Sequence, residues 1–105
     1  MKNDELTITK ENNQDSVKIF INGQVNYYAL PLLQNELDET LKNGKTNIIL
    51  DMSRTEYLCS SGVSLILKCY KDARKAGGKL AIQDPSEHAR KVLVLMALDE
   101  ILIQS

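Results

Sequence analysis

Between Leu6 and Asn22 the chain alternates: Thr7 and Thr9 separate Leu6, Ile8 and Lys10, and beyond a polar turn at 12–15 Val17, Ile19 and Ile21 alternate with Lys18, Phe20 and Asn22. A two-residue period sends successive side chains to opposite faces of a strand, one face on a core and the other partly wet. Two such strands joined by a short turn predict an antiparallel hairpin, which Gly23 would end.

The period then lengthens. Leu30, Leu33, Leu37 and Leu41 recur at helical spacing and predict a helix from Tyr28 to Lys42, with Asn26 as N-cap, Pro31 tolerated in the first turn and Gly44 as the stop. The short apolar run Asn47–Met52, β-branched at its centre, predicts an interior strand in the middle of a sheet and buried on both faces. Ser53 to Glu56 reads as a polar connection. Ser60 or Ser61 can then cap a second helix that begins at the exit of this strand. Its inner stripe is Val63, Ile66, Leu67, Tyr70 and Ala73, its wet face Lys68, Lys71, Asp72 and Lys75, and Gly77-Gly78 ends it. A strand at Lys79–Gln83, a turn and cap at Asp84-Pro85-Ser86, a helix from Glu87 to Leu98 and a short strand at Ile101–Ile103 complete the chain.

The order ββαβαβαβ belongs to the α/β class: an N-terminal antiparallel hairpin, then parallel strands joined by right-handed helical crossovers, all in one mixed sheet. With 105 residues, the chain predicts one domain over 1–105. Trp is absent and Phe20 stands alone, so the core must be aliphatic.

Charge narrows the function. A formal net charge of -1 without an arginine- or lysine-rich run gives no reason to bind nucleic acid. No apolar run approaches the ~20 residues that span a bilayer, and Met1-Lys2-Asn3-Asp4-Glu5 leads into alternating sequence instead of a signal core, so the expectation is a cytoplasmic protein without a membrane partner. Cys59 and Cys69 lack C-x-x-C spacing and zinc-set neighbours; free thiols are expected, with no disulfide, metal or cofactor.

A strand, a turn and then Ser-Ser-Gly opening a helix is where ligands and partners meet an open α/β sheet. Here the residues are Asp51-Met52-Ser53-Arg54-Thr55-Glu56-Tyr57-Leu58-Cys59-Ser60-Ser61-Gly62-Val63. The stretch resembles the D-[LM]-S-x-[VT]-x-[FY]-[ML]-D-S-[ST]-G-[LV] segment of STAS domains, the family of sulfate transporter domains and anti-sigma factor antagonists. Ile21 to Asn26, Tyr70 to Leu80 and Val92 to Leu102 resemble the family's other segments in order and spacing.

The resemblance implies a bacterial regulator of transcription that binds a serine-kinase anti-sigma factor, an ATP-binding protein of histidine-kinase-like fold, and so frees a sigma factor. Phosphorylation of the first serine of the motif, by position Ser60, would release the kinase. The contact surface it implies runs over Asn26, Tyr27, Tyr28, Cys59, Ser60, Ser61, Gly62 and Val63, with the exposed side of the second helix. Two positions depart from the pattern: Cys59 and Asn26 stand where the family has aspartates.

Each of these residues also has a plainer role. Ser60 or Ser61 can simply cap a helix, Gly62 can suit its first turn or admit a partner backbone, and Cys59 can be a small buried hydrophobe or a redox-sensitive thiol. Tyr27 and Tyr28 are staples for the first helix or interface anchors. Cys69 reads as packing and His88 as a surface residue. An accessory subunit of a transporter or signalling scaffold, not phosphorylated, is the alternative function. An enzyme with Ser60 or Cys59 as nucleophile lacks a recognisable base, oxyanion motif or cofactor loop, so no catalytic residue is assigned. Monomer and dimer are both open.

Overall fold

A computed structural model describes residues 5–104; Met1–Asp4 and Ser105, part of the expected domain, lie outside them. Strands β1 (Leu6–Asn12) and β2 (Ser16–Val25) form the expected antiparallel hairpin, in register from Leu6 opposite Gly23 to Asn12 opposite Val17. The Asn13 N–H donates to the Ser16 carbonyl at 2.9 Å to close the turn. Gly23 does not end β2. It lies inside the strand at φ +106°, and a Cβ there would collide with the Glu5 carbonyl oxygen, so only glycine lets the strand run on to Val25.

That extra length has a topological consequence. β3 (Asn47–Asp51) runs parallel to the first half of β2, Ser16 to Phe20, leaving the second half free. β4 (Thr55–Leu58) fills it, pairing in parallel with Gly23 to Val25 across a register shift at Gly23 and Gln24. The sheet order is β1-β2-β3-β5 with β4 attached to β2, where β5 is Lys79–Gln83. The sequence expectation of a polar connection at Ser53–Glu56 is therefore corrected: only Ser53 and Arg54 form the turn. Thr55 is buried, and its Oγ1 donates to the Ile21 carbonyl at 2.7 Å, tying the new strand into the sheet. The second helix leaves β4, not β3.

A 3-10 turn at Tyr27–Ala29 precedes α1 (Leu30–Lys42), so the α-helix starts two residues later than Tyr28. Asn26 caps that turn, Pro31 sits at the start of α1, and Gly44 follows its end at φ +82°. α2 spans Ser60–Lys75; Cys69, read as packing, is buried in line with Val63, Ile66 and Ala73, while Leu67 and Tyr70 of the expected inner stripe are only half-buried. α3 (Glu87–Leu95) is shorter than the expected helix to Leu98. Ala97 adopts φ +59° and the Leu98 N–H turns back to the Leu93 carbonyl at 2.9 Å, a Schellman-type ending without glycine. The expected strand at Ile101–Ile103 is instead the short helix α4 (Asp99–Leu102) and one parallel bridge between Ile103 and Ile82.

The buried side chains form one cluster: Val17, Ile19, Ile21, Ile48, Leu50, Leu80 and Ile82 from the sheet meet Leu33, Leu37, Val63, Ile66, Leu93 and Leu102 from the helices. Each fully buried aliphatic among them contributes ~1.5–3 kcal/mol, the main term holding the layers together. β3 is central, as expected, but it is not buried on both faces. Ile49 points to the other side of the sheet with Lys18, Phe20 and Ala81, all half-buried, where Lys18 Nζ lies 5.2 Å from the Phe20 ring centre.

Candidate functional site

β2 and β4 are parallel and end level, Val25 opposite Leu58, so the residues that follow each strand leave the same carboxyl edge. Asn26 follows one and Cys59 the other. The Cys59 N–H donates to the Val25 carbonyl at 3.0 Å, which fixes the two loops side by side. The fold thus brings together Asn26–Tyr28 and Cys59–Ser61, segments more than thirty residues apart in sequence.

Cys59, not either serine, is the N-cap of α2, with extended backbone at φ -82° and ψ 160° and no side-chain capping bond. Its carbonyl accepts from the Gly62 and Val63 N–H groups at 3.0 and 3.2 Å. Ser60 and Ser61 occupy the first two helical positions, where backbone amides have no intrahelical acceptor, and both side chains are exposed. The Ser64 hydroxyl, one turn along, donates to the Ser60 carbonyl at 3.3 Å.

Gly62 and Val63 correct the expected contact surface. Both are buried, Val63 fully. A Cβ on Gly62 would lie 2.7 Å from Val25 Cγ1 and 3.2 Å from Leu58 Cδ1. Of the two readings weighed for this glycine, the close approach is to the protein's own core; it lets α2 seat on the paired strand ends and so sets the height of Ser60.

Tyr27 and Tyr28 are 75% and 88% exposed and touch each other edge-on, with ring centres 5.8 Å apart. Such exposure does not suit a staple, which packs against the helix it precedes. The Asn26 side chain accepts from the Ala29 N–H at 3.1 Å, so the neutral residue does the capping work open to a carboxylate. Sequence reasoning missed Tyr57. Its ring is 43% exposed on β4 beside the loop and stacks on His88 at 5.3 Å. His88 is accordingly half-buried rather than a plain surface residue, and its Nε2 is buried with no hydrogen-bond partner among the described residues.

Away from this loop, the carboxyl of Asp51 and the thiol of Cys69 are shifted from their ordinary values. Burial pushes the Asp51 carboxyl up, but hydrogen bonds from the Ser53 N–H and Oγ, at 3.0 and 2.7 Å, with the charges of Lys18 and Arg54 outweigh it and hold the group below its ordinary value. Asp51 thereby pins the turn from which β4 starts. The Cys69 thiol is pushed up to about 11 by burial and by the nearby Asp72 and Asp38 charges, so it is inert packing. No carboxylate or histidine contact orients Ser60 as a nucleophile among the hydrogen bonds of this loop. A cavity of about 520 Å3 between α1 and α2, lined by Asp38, Glu39 and Asp72, lies some ~18 Å down α2 from Ser60. Among the described residues no cluster of His, Cys, Asp or Glu could hold a metal, and no helix is long and apolar enough to cross a membrane.

The fold is a mixed α/β sheet with a serine-opened helix and an aromatic turn side by side at its carboxyl edge. The sequence profile of the STAS domain matches residues 7–104, and the chain belongs to the STAS domain family. It is similar to the anti-sigma F factor antagonist of Paenibacillus polymyxa, 22% identical over 98 residues covering 92% of this chain and 84% of the relative. Its fold matches an anti-sigma factor antagonist from Mycobacterium paratuberculosis with a TM-score of 0.84, at 19% identity and covering 94% and 84% of the two chains. It also matches the anti-sigma factor antagonist SpoIIAA in its unphosphorylated form, with a TM-score of 0.81 at 23% identity over 94% and 88% of the two chains. The phosphorylated form of SpoIIAA from Bacillus matches with a TM-score of 0.75, at 23% identity over 94% and 91%.

Proposed function

We propose that this chain is an anti-sigma factor antagonist: one STAS domain over 1–105 that works without catalysis, in the cytoplasm, by docking on a serine-kinase anti-sigma factor of ATP-binding, histidine-kinase-like fold. Ser60 is the phosphoacceptor. The observation that carries the reading is an exposed serine hydroxyl at the start of α2 on the same sheet edge as two exposed tyrosines. Rigid aromatic side chains are the usual anchors of protein interfaces. The docking surface comprises Asn26, Tyr27, Tyr28, Cys59, Ser60 and Ser61, supported from beneath by Gly62 and Val63, with Lys68, Lys71 and Lys75 of α2 facing an acidic partner patch.

Phosphorylation fits this position physically. A phosphate adds about -1.5 to -2 charges, and the free amides at the start of α2 with the helix dipole accommodate it inside the fold. The same charge faces the partner, so it breaks docking without unfolding the domain. Cys59 and Asn26 remove two carboxylates from this edge, which lowers the electrostatic cost of adding a phosphate yet deprives the kinase of acidic contacts.

The test is intact-mass analysis of the full chain after incubation with the anti-sigma kinase of the same organism and ATP, together with a binding titration. One phosphate adduct is expected, absent in Ser60→Ala. Tyr27→Ala with Tyr28→Ala should weaken binding at least ~10-fold without moving the unfolding midpoint, as exposed hot-spot aromatics do. An adduct that persists in Ser60→Ala removes Ser60 from the role. Absence of kinase binding in either state, with co-purification of a transporter instead, would replace this reading by that of an accessory subunit.

A further inference from the structure

The sheet has two edges, and they are treated differently. Beyond β5 the C-terminal chain bridges Ile103 to Ile82, and the Gln104 N–H donates to the Ile82 carbonyl at 2.8 Å. β1 is the other edge, and among the described residues no strand pairs with its outer side. Hydrogen-bonded and non-bonded positions alternate along an antiparallel pair. Counting back from the closing pair Asn13–Ser16, the N–H and C=O groups of Leu6, Ile8, Lys10 and Asn12 point outward.

Exposed edges are normally blunted by proline, bulges or charges. β1 has no proline and pairs with β2 over seven consecutive residues without a bulge. Its single lysine is drawn aside: Lys10 Nζ lies 2.9 Å from Glu36 Oε1 on α1. We propose that β1 is a self-association edge, where a second copy of this chain pairs β1 with β1 antiparallel about a two-fold axis through Thr9 and joins the two sheets into one.

Register selects this arrangement. Centred on Thr9, the pairs are Thr9 with Thr9, Ile8 with Lys10, Thr7 with Glu11 and Leu6 with Asn12, which satisfies the outward backbone groups and opposes no like charges. A centre one residue later sets Lys10 against Lys10, and one residue earlier sets Glu5 against Glu11, each a like-charge pair. β2 separates this edge from β4 and the Ser60 loop, so dimerisation leaves Ser60 open.

Light scattering across a concentration series tests the proposal. The wild-type mass should rise to twice 11.8 kDa, and Thr9→Lys, an exposed change that the monomer tolerates, should raise the dimer dissociation constant at least ~10-fold by opposing two ammonium groups. In a Cys59→Ser background, Thr9→Cys should cross-link under mild oxidation and Thr7→Cys, which faces Glu11, should not. A chain that stays monomeric at every concentration overturns the proposal. So does a dimer indifferent to Thr9→Lys, which would shift association to the exposed Val94, Leu95 and Ile101, and so does equal cross-linking at positions 7 and 9.

Discussion

Replacing Gly62 by alanine separates two opposing effects in one measurement. In an unconstrained helix the change is stabilising by ~1 kcal/mol, because glycine costs more backbone entropy. Here the new methyl would lie 2.7 Å from Val25 Cγ1 and 3.2 Å from Leu58 Cδ1, both packed in the buried core, where a rotamer change has little room. Val25 is β-branched and stiff about χ1, so relief must come from the backbone or from lifting α2. Overpacking of this kind costs ~1–3 kcal/mol, which exceeds the propensity gain and leaves a net loss of about 1 kcal/mol. Urea unfolding followed by circular dichroism should show the midpoint falling by ~0.5 M at unchanged slope. In a Val25→Ala background the added methyl has room, so the loss should shrink by at least ~0.5 kcal/mol in a double-mutant cycle. A midpoint that stays or rises for Gly62→Ala would show that the strand ends yield freely and that this glycine does not set the height of Ser60.

The remaining expectations follow from other features of the same edge and turn. Cys59 caps α2 without a side-chain bond; Cys59→Asp should therefore raise the unfolding free energy by ~1 kcal/mol, a gain that added salt reduces. The Asp51 carboxyl is held below its ordinary value in the folded state, so its contribution is present at neutral pH and is lost as pH falls through the folded value. Asp51→Asn should lower the midpoint at pH 7 and flatten the decline of the midpoint in acid; parallel acid limbs for the two proteins would contradict this. The Cys69 thiol, pushed up to about 11, should resist an aromatic disulfide reagent at pH 8 in the folded protein while Cys59 reacts, and become reactive only on unfolding. Because the unfolded thiol ionises near ~8.5, the folded state should also lose stability above that pH.

Much of this molecule is written in local pattern. The hairpin, α1, β3, α2, β5 and the start of α3 follow from periods of two and 3.6 residues and from Pro31, Gly44 and Gly77, because side-chain burial on one face is a property of each segment by itself. The Ser-Ser-Gly motif and its family were likewise legible, since short segments in fixed order survive in sequence. The segments Asn26–Tyr28 and Cys59–Ser61, which the fold sets side by side, were nameable residue by residue.

The remaining features depend on partners distant in the chain. β4 exists because β2 outruns β3 and offers Gly23 to Val25 to any chain that can reach it, and four residues such as Thr55–Leu58 cannot declare that alone. The left-handed Ala97 carries no glycine to announce the end of α3. Gly62 and Val63 look like motif residues on a surface until Val25 and Leu58 are seen beneath them. That a serine-opened helix follows a strand is written in the local pattern; the packing of that helix on two paired strand ends, which no short segment encodes, leaves Ser60 and Ser61 exposed and buries Gly62 and Val63.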